Sequence, residues 1–160
     1  MKPSRSIKQV ESNPDFVRLS GADGLLFDLR YASERNFLGE NVYGDFNRAY
    51  LHRIAAAKLL AAVRALSLSR PELRLLVFDA LRPRSAQQIL WNRVEGTRGE
   101  DYVSRPARGS VHCYGFAVDL TLAETATGRE LDMGTEFDYF APLSEPRFEE
   151  RFLAEGKLSS

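Results

Sequence analysis

The stretch Ser110–Leu122, which reads SVHCYGFAVDLTL, combines a strand pattern with two side chains of metal-binding type. Its second half alternates as a β-strand does, with Ala117, Asp119 and Thr121 on one face. The glycine at 115 allows the backbone to bend, which would bring His112 over the face that carries Asp119. The opposite face is apolar and is expected to pack against helices; it consists of Phe116, Val118, Leu120 and Leu122.

The pair His112 and Asp119 is a candidate half of a zinc site. An aspartate within a strand must offset its desolvation, and a cation or a hydrogen-bond network can do so. Imidazole nitrogen and carboxylate oxygen are both good zinc ligands. The spacing alone favours the alternative, in which the pair is accidental and the aspartate caps a turn. Ser110 lies on the same side of an extended segment as His112, so its hydroxyl could contact a bound ligand; otherwise it is a turn residue.

Composition predicts one domain and excludes several classes of partner. The chain has 160 residues, 44% of them hydrophobic, with 22 basic and 22 acidic side chains. This balance argues against a general nucleic-acid or membrane-surface binder. The single cysteine, Cys113, forms no internal disulfide, and no signal peptide or membrane span is recognised, so we expect a cytoplasmic protein.

Hydrophobic patterns around this stretch predict alternating strands and helices. A short strand is expected over Gly24–Tyr31 and a near-continuous apolar strand, central in a sheet, over Leu73–Asp79. An alanine-rich helix is expected over Arg53–Leu66, and a second helix, N-capped by Ser85, through Val94. Residues 36–47 and 95–109 have loop composition. The mixture lacks regular βαβ alternation and favours an α+β fold.

The turn Asp79–Pro83, DALRP, follows the predicted central strand. Proline directly after Arg82 restricts the arginine backbone to extended or turn geometry. A guanidinium held near a metal could stabilise a tetrahedral oxyanion, with Asp79 orienting it. Without other information, the turn favours a surface arginine paired with Asp79, which would contribute little to stability.

Four segments in order resemble the D-alanyl-D-alanine dipeptidase family of zinc peptidases, the vancomycin-resistance type. They are spread over nearly the whole chain. In order, they are DLRYA at 28–32 with NF at 36–37; DALRP at 79–83; SVH at 110–112 with Gly115, Ala117 and DLTL at 119–122; and DMGT at 132–135 with FD at 137–138. The resemblance implies an α+β domain with a small, mostly antiparallel sheet packed against helices. It also implies zinc-dependent hydrolysis of D-Ala-D-Ala, in which a glutamate base takes a proton from a zinc-activated water.

The resemblance also implies roles for individual residues. It makes His112 and Asp119 two of three zinc ligands, and Arg82 the group that stabilises the transition state. Ser110 and Tyr31 match positions that line the substrate pocket. Asp79 and Asp138 match supporting positions. For Tyr31 and Asp138 a structural role is the favoured alternative.

The C-terminal part departs from the family pattern, which ends in a Glu-Trp-Trp-His-type motif that supplies the base and third ligand. Nothing after Phe140 matches this motif; Trp91 is expected in the core, and His52 is not expected to be the third ligand. We therefore expect residues 1–160 to be a single, C-terminally incomplete zinc-peptidase-like domain. The alternatives are an inactive or truncated binding module on the same scaffold, and a peptidase acting on larger peptidoglycan stem peptides. The expected partner is a small peptide; the oligomeric state is left open.

Overall fold

The computed structural model describes residues 5–159, which form five strands and four α-helices joined by loops and short 3₁₀ helices. None of the helices in this range is long and apolar enough to cross a membrane. In chain order the elements are α1 (Arg5–Ser12), β1 (Phe16–Arg18), β2 (Leu26–Phe27), β3 (Tyr50–His52), α2 (Arg53–Ser69), β4 (Leu73–Asp79), α3 (Arg84–Val94), β5 (Asp119–Glu124) and α4 (Glu149–Ala154).

Strand β4 is the centre of a three-stranded sheet, as its apolar sequence predicts. It pairs with β2 in parallel and with β5 antiparallel, while β1 and β3 form a separate antiparallel pair. Two of the three pairings are therefore antiparallel, and the α+β expectation is confirmed. The register between β4 and β5 is irregular between Val77 and Asp79, and beyond this irregularity Asp79 pairs with Asp119.

Helix α2 is longer than predicted, whereas two predicted strands are shorter. Helix α2 continues to Ser69, and the amide of Ile54 in its first turn donates to Nδ1 of His52 at 3.3 Å. The strand predicted over Gly24–Tyr31 is reduced to Leu26–Phe27, because Arg30–Ala32 turns into a 3₁₀ helix.

The strand predicted from Phe116 begins only at Asp119. Residues Val111–Tyr114 form a 3₁₀ helix that ends at Gly115 with a φ of 71°, and the Phe116 amide is still bonded to Val111. Asp119 is therefore the first residue of β5 rather than a mid-strand residue. Phe116 and Leu120 are exposed, so the predicted apolar face packs only in part, through Val118.

The predicted N-cap at Ser85 is wrong. Helix α3 begins at Arg84, and Pro83 occupies the cap position, from which its carbonyl accepts the Gln87 amide at 3.0 Å. Proline suits a position before the first turn, because it has no amide hydrogen to satisfy there.

Two main hydrophobic clusters fix the elements around the centre of the molecule. One lies between α2 and the sheet and includes Leu25, Leu59 and Val77. The other joins α3 to the loop at residues 31–50, and contains Trp91, in the core as expected. Burial of each such large side chain stabilises the fold by roughly 1.5–3 kcal/mol. The loop beyond β4 is therefore held between two packed regions.

Candidate metal centre and substrate cleft

Three segments meet where β4 ends: the turn Asp79–Pro83, the 3₁₀ helix Val111–Tyr114 and the start of β5. Backbone contacts fix the first two against each other, because the Arg82 amide donates to the His112 carbonyl at 3.1 Å. Nδ1 of His112 lies 2.9 Å from the Ala80 carbonyl oxygen. The irregular register of β4 and β5 then brings Asp119 to the same place.

The contact with Ala80 determines the chemistry of the His112 ring. A carbonyl oxygen can only accept, so Nδ1 must carry the hydrogen and Nε2 of a neutral ring keeps its lone pair. Nε2 lies 3.4 Å from Oδ1 of Asp119. Burial lowers the pKa of His112, but the hydrogen bond and charge of Asp119 outweigh it, so that the net pKa is raised. An imidazole nitrogen and a carboxylate oxygen thus face each other, which is a donor pair suited to zinc.

Asp79 completes a group of three side chains that could hold a metal ion, with ligand atoms within 4.8 Å of one another. Its side chain is only 1% exposed, against 34% for Asp119. Oδ1 of Asp79 accepts hydrogen bonds from the Tyr43 hydroxyl and from the Ala80 amide, and Oδ2 accepts from Arg82. Burial raises the pKa of Asp79, although Arg82 and His112 act in the opposite direction. Its oxygens are already engaged, so the geometry favours Asp79 as a support rather than a ligand.

Arg82 is buried and not a surface arginine, so the surface alternative is wrong. Its Nε and Nη2 atoms lie 2.9 and 2.8 Å from Oδ2 of Asp79, and Nη2 lies 3.5 Å from Oδ2 of Asp119. Burial lowers the pKa of Arg82, but the neighbouring carboxylates and phenols raise it by more than burial lowers it. The net pKa is raised, so the guanidinium stays charged. The guanidinium also lies over the Tyr31 ring, 4.8 Å from its centroid.

Tyr31 and Asp138 are bonded to each other beside this arginine. The Tyr31 hydroxyl lies 3.0 and 3.1 Å from the two carboxylate oxygens of Asp138. Burial raises the pKa of Tyr31, and burial is also the main cause that raises the pKa of Asp138 to about 6. Asp138 has a φ of 60°, in the left-handed region that aspartate tolerates better than most residues.

A cleft of about 600 Å³ joins the predicted site residues into one site. Ser110, which is nearly buried, lines it together with His112, Asp119, Arg82, Tyr31 and Asp138, whereas Asp79 lies beneath the wall. Aromatic side chains form much of the remaining wall: Phe78, Tyr102, Phe137, Tyr139 and Phe140. The structure thus brings together all seven residues that the sequence singled out.

Two residues that support the site were missed at the sequence level. Tyr43 bonds to Asp79 from a loop, where nothing in its local pattern indicates a partner. Gln87 bonds to Arg82, and its position gave a usable signal: it lies on the apolar stripe of α3 with Leu90 and Trp91. A polar side chain among core positions must find hydrogen-bond partners in the interior.

Fold and site together define an α+β metallopeptidase-like domain, and comparison with known proteins identifies its family. A family profile described as D-ala-D-ala dipeptidase, of the M15 peptidases, matches residues 13–152, so the chain belongs to this family. A curated D-alanyl-D-alanine dipeptidase from Escherichia coli (strain K12) is 37% identical over 114 residues. The match covers 71% of this chain and 55% of that protein, so the aligned region spans about half the length of this relative.

Proposed function

We propose that this protein hydrolyses the dipeptide D-Ala-D-Ala with the help of one zinc ion. The observation that carries the proposal is the cleft in which Nε2 of His112 and Oδ1 of Asp119 lie 3.4 Å apart beside a buried arginine. Family membership and the E. coli relative support the same substrate. The physiological role would be depletion of a cell-wall precursor or recycling of wall peptide.

Two of the residues present fit a zinc ion as ligands, whereas the motif that supplies the third ligand and the base in the family has no match after Phe140. His112 and Asp119 would hold it, since the Ala80 carbonyl fixes the ring tautomer that leaves Nε2 free. Bound there, zinc would polarise the scissile carbonyl and lower the pKa of a water molecule. Asp79 would remain beneath the site and keep Arg82 charged and oriented.

Arg82 is the group suited to stabilise the oxyanion that forms when the peptide carbonyl is attacked. It is charged, shielded from water and fixed before substrate arrives, and such preorganisation makes an electrostatic contribution large. In the same cleft, the Asp138 carboxylate, which accepts a hydrogen bond from Tyr31, carries the charge that a free peptide amine requires. Ser110 lines the wall next to His112 and can hydrogen-bond the peptide.

The test is zinc-dependent release of D-alanine from D-Ala-D-Ala. We expect His112→Ala and Arg82→Ala each to abolish it, because one removes a ligand and the other the oxyanion partner. Arg84→Ala is the matched control, since Arg84 lies two residues away and is exposed. Release that survives both substitutions would contradict the assigned roles, and zinc binding without any release would favour a binding module.

The size of the cleft supports a second candidate, a larger peptidoglycan stem peptide. A volume of about 600 Å³ lies within the range of sites for drug-sized ligands, roughly 300–1,000 Å³. Rates on D-Ala-D-Ala and on its N-acylated form decide between the two. Preference for the free dipeptide supports a role of Asp138 in binding the amine.

With a single cysteine, the fold needs no disulfide and is compatible with the cytoplasm, where we place the activity.

A further inference from the structure

Arg82 is held from two sides by side chains of different elements. On one side, Oδ2 of Asp79, at the end of β4, accepts a hydrogen bond from Nε, and Nη2 lies 2.8 Å from the same oxygen as an ion pair. On the other side, Nη1 donates to Oε1 of Gln87, on α3, at 3.0 Å. Gln87 is 1% exposed, and its Nε2 donates to the carbonyl of Ser104 at 2.7 Å.

The orientation of the Gln87 amide follows from its two partners. A guanidinium can only donate and a carbonyl oxygen can only accept, so Oε1 must face Arg82 and Nε2 must face Ser104. A flipped amide would place two donors together at one end and two acceptors at the other. The buried amide therefore has a single favourable orientation and connects the arginine to a backbone carbonyl.

Contacts with Asp79 alone do not fix the tilt of the planar guanidinium of Arg82. Both contacts end on the same oxygen of Asp79, Oδ2, about which the planar group can tilt. The bond to Gln87 is made by Nη1, at the other side of the group, and fixes that tilt. The hydrogen bonds to these two residues thus use Nε and Nη1, while Nη2 lies near the carboxylates of Asp79 and Asp119.

We propose that Gln87 is a positioning residue, which sets the tilt of the Arg82 guanidinium and couples it to the Ser104 segment. Ser104 lines the cleft with its neighbours Tyr102 and Val103, so a shift of this segment would reach Arg82 through one side chain. The catalytic consequence rests on the proposed function; the positioning itself does not. No substrate contact is assigned to Gln87.

The test compares Gln87→Met with Gln88→Met in the 160-residue chain. Methionine keeps the length of the side chain and removes the amide. Gln88 is the exposed neighbour on the same helix, and its side-chain amide donates to Oδ1 of Asn92 at 2.7 Å. Nitrogen-15 NMR of the arginine side chain is the first readout. We expect Gln87→Met to make the Nη1 group of Arg82 rotate faster and its protons exchange faster with water. The Nε proton, still hydrogen-bonded to Asp79, should remain protected from exchange. Gln88→Met should leave both unchanged.

The second readout is the kinetics of the zinc-loaded protein on D-Ala-D-Ala. We expect Gln87→Met to lower kcat by about tenfold or more, because a misdirected group loses transition-state contact, and to change KM and zinc affinity much less. A purely structural role would instead lower stability and zinc affinity together. Unchanged Arg82 resonances in Gln87→Met, or equal effects in Gln88→Met, would overturn the proposal.

A further variant covers the case in which Gln87→Met does not fold. Gln87→Glu keeps an acceptor for Arg82 and loses the donor to Ser104, so we expect protection of Nη1 to persist and the Ser104 segment to loosen. Loss of Nη1 protection in this variant would also contradict the proposal. If the wild-type protein releases no D-alanine, the proposed function fails, and the NMR readout still decides the role of Gln87.

Discussion

Asp79 and Asp119 are register partners across the antiparallel strands β4 and β5, yet their carboxylates have different surroundings. The Asp79 carboxylate is buried and fully bonded, whereas that of Asp119 is one-third exposed at the cleft. Like charges directly opposite each other destabilise a sheet. Arg82 lies between them, with Nη2 at 2.8 Å from Asp79 and 3.5 Å from Asp119. The arginine therefore has a structural function besides its proposed catalytic one.

Arg82→Ala is expected to lower the free energy of unfolding by about 3–5 kcal/mol, the cost typical of removing one partner from a buried ion pair. The loss arises because the Asp79 carboxylate is left buried without its cation. Urea unfolding at pH 7 measures it, with Arg84→Ala, within about 0.5 kcal/mol of wild type, as the exposed control. A loss below about 1 kcal/mol for Arg82→Ala would mean that Asp79 takes up a proton instead.

Zinc is expected to stabilise the folded protein through His112 and Asp119. A ligand that binds only the folded state adds about 2.7 kcal/mol when its concentration is 100 times Kd. Thermal unfolding with and without zinc measures this shift, which should disappear in His112→Ala and in Asp119→Asn. His52→Ala is the control, because that ring is engaged at the start of α2 and is not part of the cleft. A zinc response that depends on His52 and not on His112 would contradict the assigned ligands.

The sequence predicts the elements with strong and uninterrupted patterns. The apolar run Leu73–Asp79 forms a strand with the expected bounds, and the alanine-rich helix begins at the expected residue. The prediction failed near Gly115, where local hydrogen bonds compete with the alternating pattern: Val111–Tyr114 closes into a 3₁₀ turn, and β5 starts three residues late.

Prediction of the site depended on ordered motifs, because no single spacing was decisive. Residues as distant as Tyr31, Arg82 and Asp138 meet only through the tertiary structure, and family resemblance indicated their proximity. The residues that support Asp79 and Arg82 from distant positions were harder to predict. Tyr43 bonds to Asp79 across 36 positions of sequence, and Gln87 bonds to a backbone carbonyl 17 positions away. A single sequence contains no signal for such pairs beyond the presence of a polar residue at a buried helix position.

Because of Asp138, the free energy of unfolding is expected to fall as the pH is raised from about 4 to about 6. Its pKa is raised to about 6 by burial first, while an unfolded aspartate titrates near about 3.9. The folded state therefore holds the proton more tightly, so the contribution of Asp138 is largest below the unfolded pKa and is lost as pH rises through the folded pKa.

Asp138→Asn removes this titration and keeps an acceptor for the Tyr31 hydroxyl, and asparagine also tolerates the φ of 60°. We expect the variant to gain stability relative to wild type as pH rises from 4 to 7. Urea unfolding of both proteins at several pH values gives the difference. A difference that stays constant over this interval would show that Asp138 titrates as an ordinary surface aspartate.

Gly115 is expected to be the glycine on which the geometry of the candidate metal centre depends most. It has a φ of 71°, and a Cβ added there would lie 2.8 Å from the His52 backbone nitrogen and 2.9 Å from the Phe16 ring. Gly128 has the same φ of 71°, but nothing lies within 4 Å of an added Cβ. Alanine at Gly128 therefore costs only the strained backbone conformation, whereas alanine at Gly115 adds the steric clash.

Gly128→Ala should therefore lower the free energy of unfolding by about 1–2 kcal/mol, the cost of left-handed geometry for a residue with a Cβ. Gly115→Ala should cost more, because backbone atoms of β3 must move, and it should also weaken zinc binding, since the turn that presents His112 ends at this residue. Urea unfolding and zinc titration measure the two effects. Equal losses of stability with unchanged zinc affinity would show that the turn adjusts without moving the histidine.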